Sequence, residues 1–108
     1  MASFDDFLKI EMRVGTVIDI ENFNEAVEPS YKLTIDFGKH GIKKSSSQLL
    51  KDYSKEELLG KQVVAVTNFP PKQVANFRSE VLTLGAVKEN NITLLEPGKK
   101  VENGLRIL

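Results

Sequence analysis

The chain has 108 residues, no cysteine and a formal net charge of zero, and 41% of its residues are hydrophobic and 28% charged. This length fits one domain with one modest core, and the composition excludes a disordered chain, a disulfide framework, thiolate chemistry and a membrane-spanning helix. The start of the chain lacks the basic and apolar segments of a secretory signal, so we expect a cytoplasmic protein.

Basic residues are concentrated in the middle of the chain. Residues 32–78 carry nine Lys and Arg against four Asp and Glu, whereas residues 1–31 carry two against seven. A local positive field, and not the total charge, is what attracts a phosphate backbone. The middle of the chain is therefore a candidate nucleic-acid surface, and a mixed, solvated protein surface is the alternative.

The first predicted element is a short helix over residues 3–10. Ser3 is a suitable N-cap, and Asp5 and Asp6 fall in the first turn, where the helix dipole favours negative charge. A helix this short is marginal in water, so its apolar face must pack on another surface. That face consists of Phe4, Phe7 and Leu8.

Strands follow the helix. Residues 12–20 alternate with period two and carry apolar side chains mainly at the even positions, and residues 31–37 alternate more clearly, with the apolar side chains at odd positions. Gly38 and Gly41 bracket a turn that leads into a third strand over residues 42–47.

The second half of the chain contains one more helix and several strands. Ser54 begins a capping-box sequence, which predicts a short helix that reaches Leu59 and ends at Gly60. Further strands are predicted at residues 63–66, which form a continuous apolar run, and at residues 80–87, 92–95 and 105–108, with turns at Asn90-Asn91 and Asn103-Gly104.

This order of elements predicts an all-β fold. Three strands, a helix and further strands match the five-stranded Greek-key barrel called the OB-fold, here with a short N-terminal helix and a small helix between strands 3 and 4. We expect residues 1–108 to form a single domain of this kind. Another small β-barrel, such as an SH3-like one, is the alternative, but the position of the helix favours the OB-fold.

The sequence lacks the groups that catalysis needs. His40 is the only histidine and lies in a predicted turn, no cysteine is present, and no glycine-rich phosphate loop precedes a helix. The three serines at residues 45–47 have no neighbouring base. We therefore expect a binding protein that is not an enzyme and uses neither a cofactor nor a metal ion.

The first candidate binding segment spans residues 41–48. Lys43 and Lys44 supply point charges for phosphate, and the serines and Gln48 supply donors and acceptors that can reach phosphate, sugar or base edges. An edge strand kept soluble by polar side chains is the alternative.

The second candidate segment spans residues 68–80. Its double proline stiffens an extended chain, Lys72 and Arg78 add positive charge, and polar Asn68 and Ser79 stand at the ends of the neighbouring strands. Two aromatic residues of this segment either stack on bases or pack into the core. They are Phe69 and Phe77.

Both segments resemble the tRNA-binding OB domain family, whose members include the C-terminal appendage of methionyl-tRNA synthetases. The family pattern is an Asn that ends a strand, a loop with Pro and Lys, and a Ser-Glu at the head of the next strand. The chain is most similar to the CsaA-type secretion chaperones of that family. The similar stretches are FDDFLKIEMRVGTV, YKLTIDFG, IKKSSSQ and NFPPKQVANFRSEVLTLG.

The resemblance implies RNA contacts from two sides. One side is Ser45, Ser46, Ser47 and Gln48, and the other is Asn68, Lys72, Arg78 and Ser79. The nearby Lys32, Lys43, Lys44 and Asn76 complete the predicted RNA-binding set. The family usually has glycine where Asn76 stands. Because Asn tolerates positive φ better than other residues with a side chain, we expect the bend to survive.

The resemblance also implies a homodimer and an export-related chaperone activity on unfolded or presecretory polypeptides. Candidate peptide contacts are Phe69, Val74 and Phe77. The predicted dimer interface consists of Phe4, Phe7, Leu8, Leu105, Ile107 and Leu108, which exceed what a small barrel needs for its core. A peptide-binding chaperone with vestigial RNA binding and a synthetase-associated tRNA-binding appendage remain as alternatives.

Overall fold

A five-stranded antiparallel sheet, curled into a half-barrel, forms the centre of the computed structural model, which describes all 108 residues. The elements in chain order are α1 (Phe4–Lys9), β1 (Met12–Phe23), β2 (Ser30–Asp36), β3 (Ile42–Ser47), α2 (Lys55–Leu58), β4 (Gln62–Val66), β5 (Lys72–Val74), β6 (Phe77–Ser79), β7 (Leu82–Thr83), β8 (Gly85–Lys88) and β9 (Asn91–Leu94). The sheet order is β3-β2-β1-β4-β7, while β5–β6 and β8–β9 are separate hairpins. The predicted OB-type all-β fold is confirmed.

Both helices form where the capping residues predict them. Ser3 caps α1 and Ser54 caps α2, and each accepts a hydrogen bond from the backbone N–H of the third helical residue. The carboxylates of Asp6 and Glu57 accept from the cap N–H in return, which completes two capping boxes. Neither helix is long and apolar enough to cross a membrane.

The core lies on the concave side of the sheet. The four alternating residues of the predicted second strand, Tyr31, Leu33, Ile35 and Phe37, are all buried there. They pack with side chains from β1, β4 and the segments around them, among them Val17, Leu49, Leu58, Val63, Ala65, Val81 and Leu94. The period-two pattern of this stretch therefore predicted its buried face correctly.

The prediction for the first strand is wrong in its phase. Val17 is fully buried, whereas Ile18 is 43% exposed, so the apolar even positions do not share the core face. Val17 lies opposite Ile35 and Asp19 opposite Thr34, which leaves Ile18 as the extra residue of a β-bulge. The bulge reverses the alternation, because one inserted residue moves every later side chain to the other face.

Three segments differ from the predicted strands. Residues 80–87 form not one strand but two, β7 on the main sheet and β8 in a separate hairpin with β9. Residues 105–108 form no strand, and only Arg106 makes a single bridge with Arg13. The stretch over residues 68–80 is not an open loop, because it contains the β5–β6 hairpin.

The left-handed residues of the two hairpins are not the asparagines. Ala75 has φ 51° and Glu89 has φ 54°, and each is the first of two residues in its turn. Asn76 and Asn90 are the second turn residues. A turn with positive φ at the first position alone is typical of two-residue hairpins, so the bend is carried one residue earlier than predicted.

Candidate functional site

A groove of about 760 Å³ lies between the end of β3 and the β5–β6 hairpin. The two candidate segments line its opposite walls, although they are about thirty residues apart in the chain. The backbone N–H of Ser46 donates a hydrogen bond of 3.0 Å to the hydroxyl of Ser79. We call this groove the serine groove, lined by Ala26, Val27, Glu28, Ser30, Ser46, Ser47, Gln48, Leu49, Phe69, Pro70, Lys72, Val74, Ser79, Glu80, Val81, Leu82, Thr83 and Ile92.

The hairpin is joined to β3 through two side-chain acceptors and a backbone contact at Glu80, and not through a ladder of strand pairs. Glu80 accepts a hydrogen bond from the N–H of Lys44 at 3.0 Å and donates its own N–H to the carbonyl oxygen of Lys44 at 2.8 Å. Together with the Ser46–Ser79 bond, these contacts cover two of the outward backbone positions on the free edge of β3. The wall that carries Lys72 is therefore anchored at its base.

The three serines of β3 have different surroundings. Ser45 is 1% exposed and faces the core, where its hydroxyl lies 3.2 Å from that of Ser47. The hydroxyl of Ser47 lies 2.9 Å from that of Thr83 across the seam between β3 and β7. Ser46 faces the other way and lines the serine groove. The expected RNA contact of Ser45 is therefore wrong, because its side chain is enclosed.

The predicted lysines do not share one surface. Lys43 and Lys44 are consecutive in β3 and point to opposite faces of the sheet. Lys44 shares its face with Ser46 and with Lys32, which lies directly opposite Ser46 on β2. Lys72 lines the serine groove beside them. The positive charge on this side of the molecule comes from Lys32, Lys44 and Lys72.

Lys32 and Phe77 together attach the hairpin to the sheet. Phe77 is buried against Phe23, with ring centroids 5.4 Å apart in an edge-to-face arrangement. The ammonium of Lys32 lies 4.9 Å from the centroid of Phe23 and 5.5 Å from that of Phe77, a cation–π arrangement. The expectation that Phe77 contacts a peptide or a base is wrong, because its ring packs inside the protein.

Two further predicted residues lie outside the serine groove. The amide of Asn68 accepts from the N–H of Glu11 at 2.9 Å and donates to the carbonyl oxygen of Lys9 at 2.8 Å, so it fixes the junction between α1 and β1. Arg78 points away from the face that Phe77 and Ser79 share, and its side chain is exposed. Of the predicted set, the serine groove contains Ser46, Ser47, Gln48, Phe69, Lys72, Val74 and Ser79.

The groove also contains exposed apolar side chains that sequence reasoning missed. Val27 is 99% exposed at the tip of the β1–β2 connection, and Leu82 is 49% exposed on β7. Phe69, which the sequence did predict as a contact residue, is a third exposed apolar side chain, 45% exposed. A valine in a mainly polar turn could have indicated an exposed apolar side chain at Val27. Leu82 lies in a predicted strand, and nothing in the sequence indicated that its side chain is exposed.

The shifted pKa values belong to groups with structural contacts. The hydrogen bond from Arg13 lowers the pKa of Glu11, and the capping bonds from Ser3 and Ser54 lower the pKa values of Asp6 and Glu57. No cluster of three or more His, Cys, Asp or Glu side chains suited to a metal ion is present. The arrangement offers cations, hydroxyls and apolar surface for binding.

Comparison with known proteins identifies the same group of molecules in three ways. The model of the family described as "Putative tRNA binding domain" matches residues 12–106. Methionine–tRNA ligases of Thermococcus onnurineus and Pyrococcus horikoshii are each 35% identical over 104 residues, which is 96% of this chain. The chain spans only 14% of the length of these ligases.

Solved structures give the most extensive matches. The chaperone CsaA of Bacillus anthracis is 50% identical, with a TM-score of 0.96 over 100% of this chain and 99% of that one. The CsaA chaperone of Picrophilus torridus is 48% identical, with a TM-score of 0.94 over the whole of both chains. A MetRS related protein of Pyrococcus horikoshii is 27% identical, with a TM-score of 0.88 over 100% and 98% of the two chains.

Proposed function

The chain belongs to the tRNA-binding domain family and, within it, to the group of the CsaA chaperones, and we propose that it binds tRNA or another structured RNA at the serine groove. The single observation that carries this proposal is the meeting of two distant segments at the Ser46–Ser79 hydrogen bond. This meeting of the two segments brings cations and hydroxyls together beside the serine groove, although the whole chain has no net charge.

The proposed binding mode is recognition of the RNA backbone and shape. Lys44 and Lys72 make no side-chain hydrogen bond or ion pair within the protein, so their ammonium groups are available to phosphates. Ser46 and Gln48 provide short polar side chains between them, which suit sugar and phosphate oxygens. The exposed ring of Phe69 offers one stacking surface for an unpaired base.

An RNA titration at several salt concentrations tests this proposal. Changing Lys44 and Lys72 together to Ala should weaken tRNA binding by roughly tenfold or more at low salt. The slope of log K against log salt should fall by about 1.4 to 1.8, since two phosphate contacts are lost. Changing Lys99 and Lys100 to Ala removes the same charge elsewhere and should leave both quantities unchanged.

The assignment fails if the Lys44 and Lys72 variant binds tRNA as tightly as the unmodified protein at low salt. It also fails if the control variant loses as much affinity, because binding would then depend on overall charge and not on the serine groove.

Polypeptide binding is the second candidate function. The apolar part of the serine groove favours it, since Phe69, Val27 and Leu82 form exposed apolar surface beside polar side chains. Clients would be unfolded or presecretory polypeptides passed to the export machinery. The protein should then suppress aggregation of a denatured client in a salt-resistant manner. Failure to protect any client at stoichiometric excess would exclude this role.

The methionine–tRNA ligase relatives favour a third role, that of a tRNA-binding appendage to a synthetase. Such a role requires a stable complex, which purification from the native cell would reveal as a co-purifying ligase. Under all three readings the chain acts by binding in the cytoplasm and carries out no reaction of its own.

We also assign a homodimer to this chain through the apolar surface that α1 forms with the C-terminal residues. Phe4 and Leu108 are 70% and 79% exposed, and α1 contains no buried residue. The guanidinium of Arg106 donates a 2.8 Å hydrogen bond to the carbonyl oxygen of Leu8, so the two termini form one surface. Changing Phe4 and Leu108 to Glu should give a monomer in sedimentation experiments, and a monomeric unmodified protein would exclude the assignment.

A further inference from the structure

The free edge of β3 is covered in an unusual way. An edge strand normally pairs with another strand or is left to solvent. Here the outward N–H groups of Lys44 and Ser46 donate to the side chains of Glu80 and Ser79, each at 3.0 Å. The carbonyl oxygen of Lys44 accepts from the N–H of Glu80 at 2.8 Å. The side chains of Ser79 and Glu80, together with the backbone N–H of Glu80, thus cover part of this edge in place of a paired strand.

These two side chains lie at the base of the hairpin that carries Lys72. Ser79 lies directly opposite Lys72 in the β5–β6 pair, so whatever fixes Ser79 to β3 also fixes the backbone of Lys72. The hydroxyl of Ser79 accepts the N–H of Ser46 and keeps its own proton free to donate to a ligand. The Glu80 carboxylate, by contrast, carries a negative charge on a surface proposed to bind a polyanion.

We propose that Glu80 is a positioning residue of the RNA-binding surface, whose carboxylate bonds the N–H of Lys44 and holds the β5–β6 hairpin, with Lys72, beside β3. The proposal rests on the proposed RNA-binding function. Electrostatics alone would make a carboxylate here unfavourable for RNA binding. The hydrogen bonds of Glu80 explain why a carboxylate is useful here. They fix the hairpin before RNA binds, so Lys72 loses less conformational entropy on binding.

The direction of the effect of Glu80→Ala on affinity separates positioning from charge. Removal of a negative charge near the RNA should strengthen binding, whereas loss of the anchor should weaken it. We expect Glu80→Ala to weaken tRNA binding by roughly three- to tenfold, as for the loss of one phosphate contact. Glu80→Gln keeps an oxygen that can accept the Lys44 N–H, so it should restore most of the affinity.

Glu28 provides the matched control. It lines the same groove and its carboxylate makes no hydrogen bond or ion pair in the structure, so Glu28→Ala removes the same charge without removing an anchor. We expect Glu28→Ala to bind tRNA more tightly than the unmodified protein, because it removes a negative charge from the groove that binds the RNA. If Glu80→Ala behaves like Glu28→Ala, the positioning role is excluded.

A double-mutant cycle links Glu80 to Lys72. If Glu80 acts through the placement of Lys72, the Lys72→Ala change should mask most of the effect of Glu80→Ala, so the two losses should not add. Additive losses would mean that Glu80 acts independently of Lys72 and would overturn the proposal.

Amide hydrogen exchange without RNA separates failure of this proposal from failure of RNA binding. The N–H groups of Lys44 and Ser46 should exchange faster in Glu80→Ala than in Glu80→Gln or the unmodified protein. Unchanged exchange would exclude the anchor, whatever the RNA results. The three proteins could show these exchange differences while the unmodified protein binds no tRNA. That outcome would exclude the proposed function and any part of Glu80 in RNA binding, although Glu80 would still anchor the hairpin.

Discussion

Two grooves of similar size carry different chemistry in this protein. The serine groove, at about 760 Å³, has eight hydrophobic residues among the 18 that line it. A second groove of about 950 Å³, which we call the C-terminal groove, runs between residues 59–62 and residues 96–103 and has three hydrophobic residues among 16. Size alone would have favoured the C-terminal groove as the binding site.

Five polar side chains of the C-terminal groove and the backbone of Val101 are engaged with each other. The side chain of Gln62 donates to the carbonyl oxygen of Val101 at 2.7 Å and accepts from its N–H at 3.0 Å. The side-chain oxygen of Asn103 accepts from Thr16 at 2.7 Å and from Gln62 at 3.0 Å. Lys61 pairs with Glu96 at 2.8 Å. These contacts attach the C-terminal segment to the barrel.

The serine groove combines unpaired polar side chains with a larger share of apolar residues. Lys72 and Gln48 are free to bind, and apolar side chains are exposed beside them. The two grooves differ in their share of apolar lining residues, eight of 18 against three of 16, and this share, not volume, favours the serine groove as the binding site.

The largest expected effect on stability comes from the wall of the serine groove. Phe77→Ala should reduce the free energy of unfolding by about 3 kcal/mol, since it removes a buried ring that packs on Phe23. It should also weaken tRNA binding, because the hairpin loses its packing contact with the sheet. Urea unfolding and an RNA titration measure the two effects. If the variant is stable and its RNA affinity is unchanged, the position of the β5–β6 hairpin does not depend on the Phe77 ring.

The second effect tests the structural role of the C-terminal groove. Gln62→Ala should reduce the free energy of unfolding by about 2 kcal/mol, because it leaves backbone groups of Val101 without partners. Its tRNA affinity should equal that of the unmodified protein. A selective loss of RNA binding in this variant would reverse the roles that we give to the two grooves.

A smaller effect is expected from the ion pair of the C-terminal groove. The Glu96 carboxylate hydrogen-bonded to Lys61 raises the pKa of that ammonium above its ordinary 10.5. A group whose pKa is raised by folding stabilises the protein below its unfolded pKa and loses that contribution as the pH rises through the folded value. As the pH rises from neutral to above the pKa of Lys61, the free energy of unfolding should therefore fall less in Glu96→Gln than in the unmodified protein. Urea midpoints across this range measure the difference, which we expect to stay below about 1 kcal/mol.

The smallest expected change in stability is that of Phe69→Ala. Its ring is partly exposed in the serine groove, so the free energy of unfolding should change by no more than about 0.5 kcal/mol. Protection of a denatured client from aggregation should nevertheless fall. The Val87→Ala change, on the exposed β8–β9 hairpin, is the matched control and should retain full protection. Equal protection by both variants would remove Phe69 from the proposed peptide site.

Local patterns predicted most of the framework. The two capping boxes and the alternation over residues 31–37 depend on neighbours within a few positions, so the sequence carries them directly. The alternation over residues 12–20 predicted the wrong buried face for part of β1. The bulge at Ile18 arises from the pairing of β1 with β2, and the sequence of β1 does not indicate it. The hairpin within residues 68–80 was missed because double proline and a three-residue strand give little periodicity to detect.

The sequence by itself determined the two helices, the first four strands, the fold class and the family, and it named the two segments that line the serine groove. Only the tertiary structure decided which of their side chains are available. It encloses Ser45 and Phe77, commits Asn68 to the α1–β1 junction and uses Ser79 and Glu80 to cover an edge. The physical reason is that a polar or aromatic side chain takes whichever partner the folded chain brings within reach. For Asn68, Ser79 and Glu80 the partners lie 33 to 59 positions away in the chain.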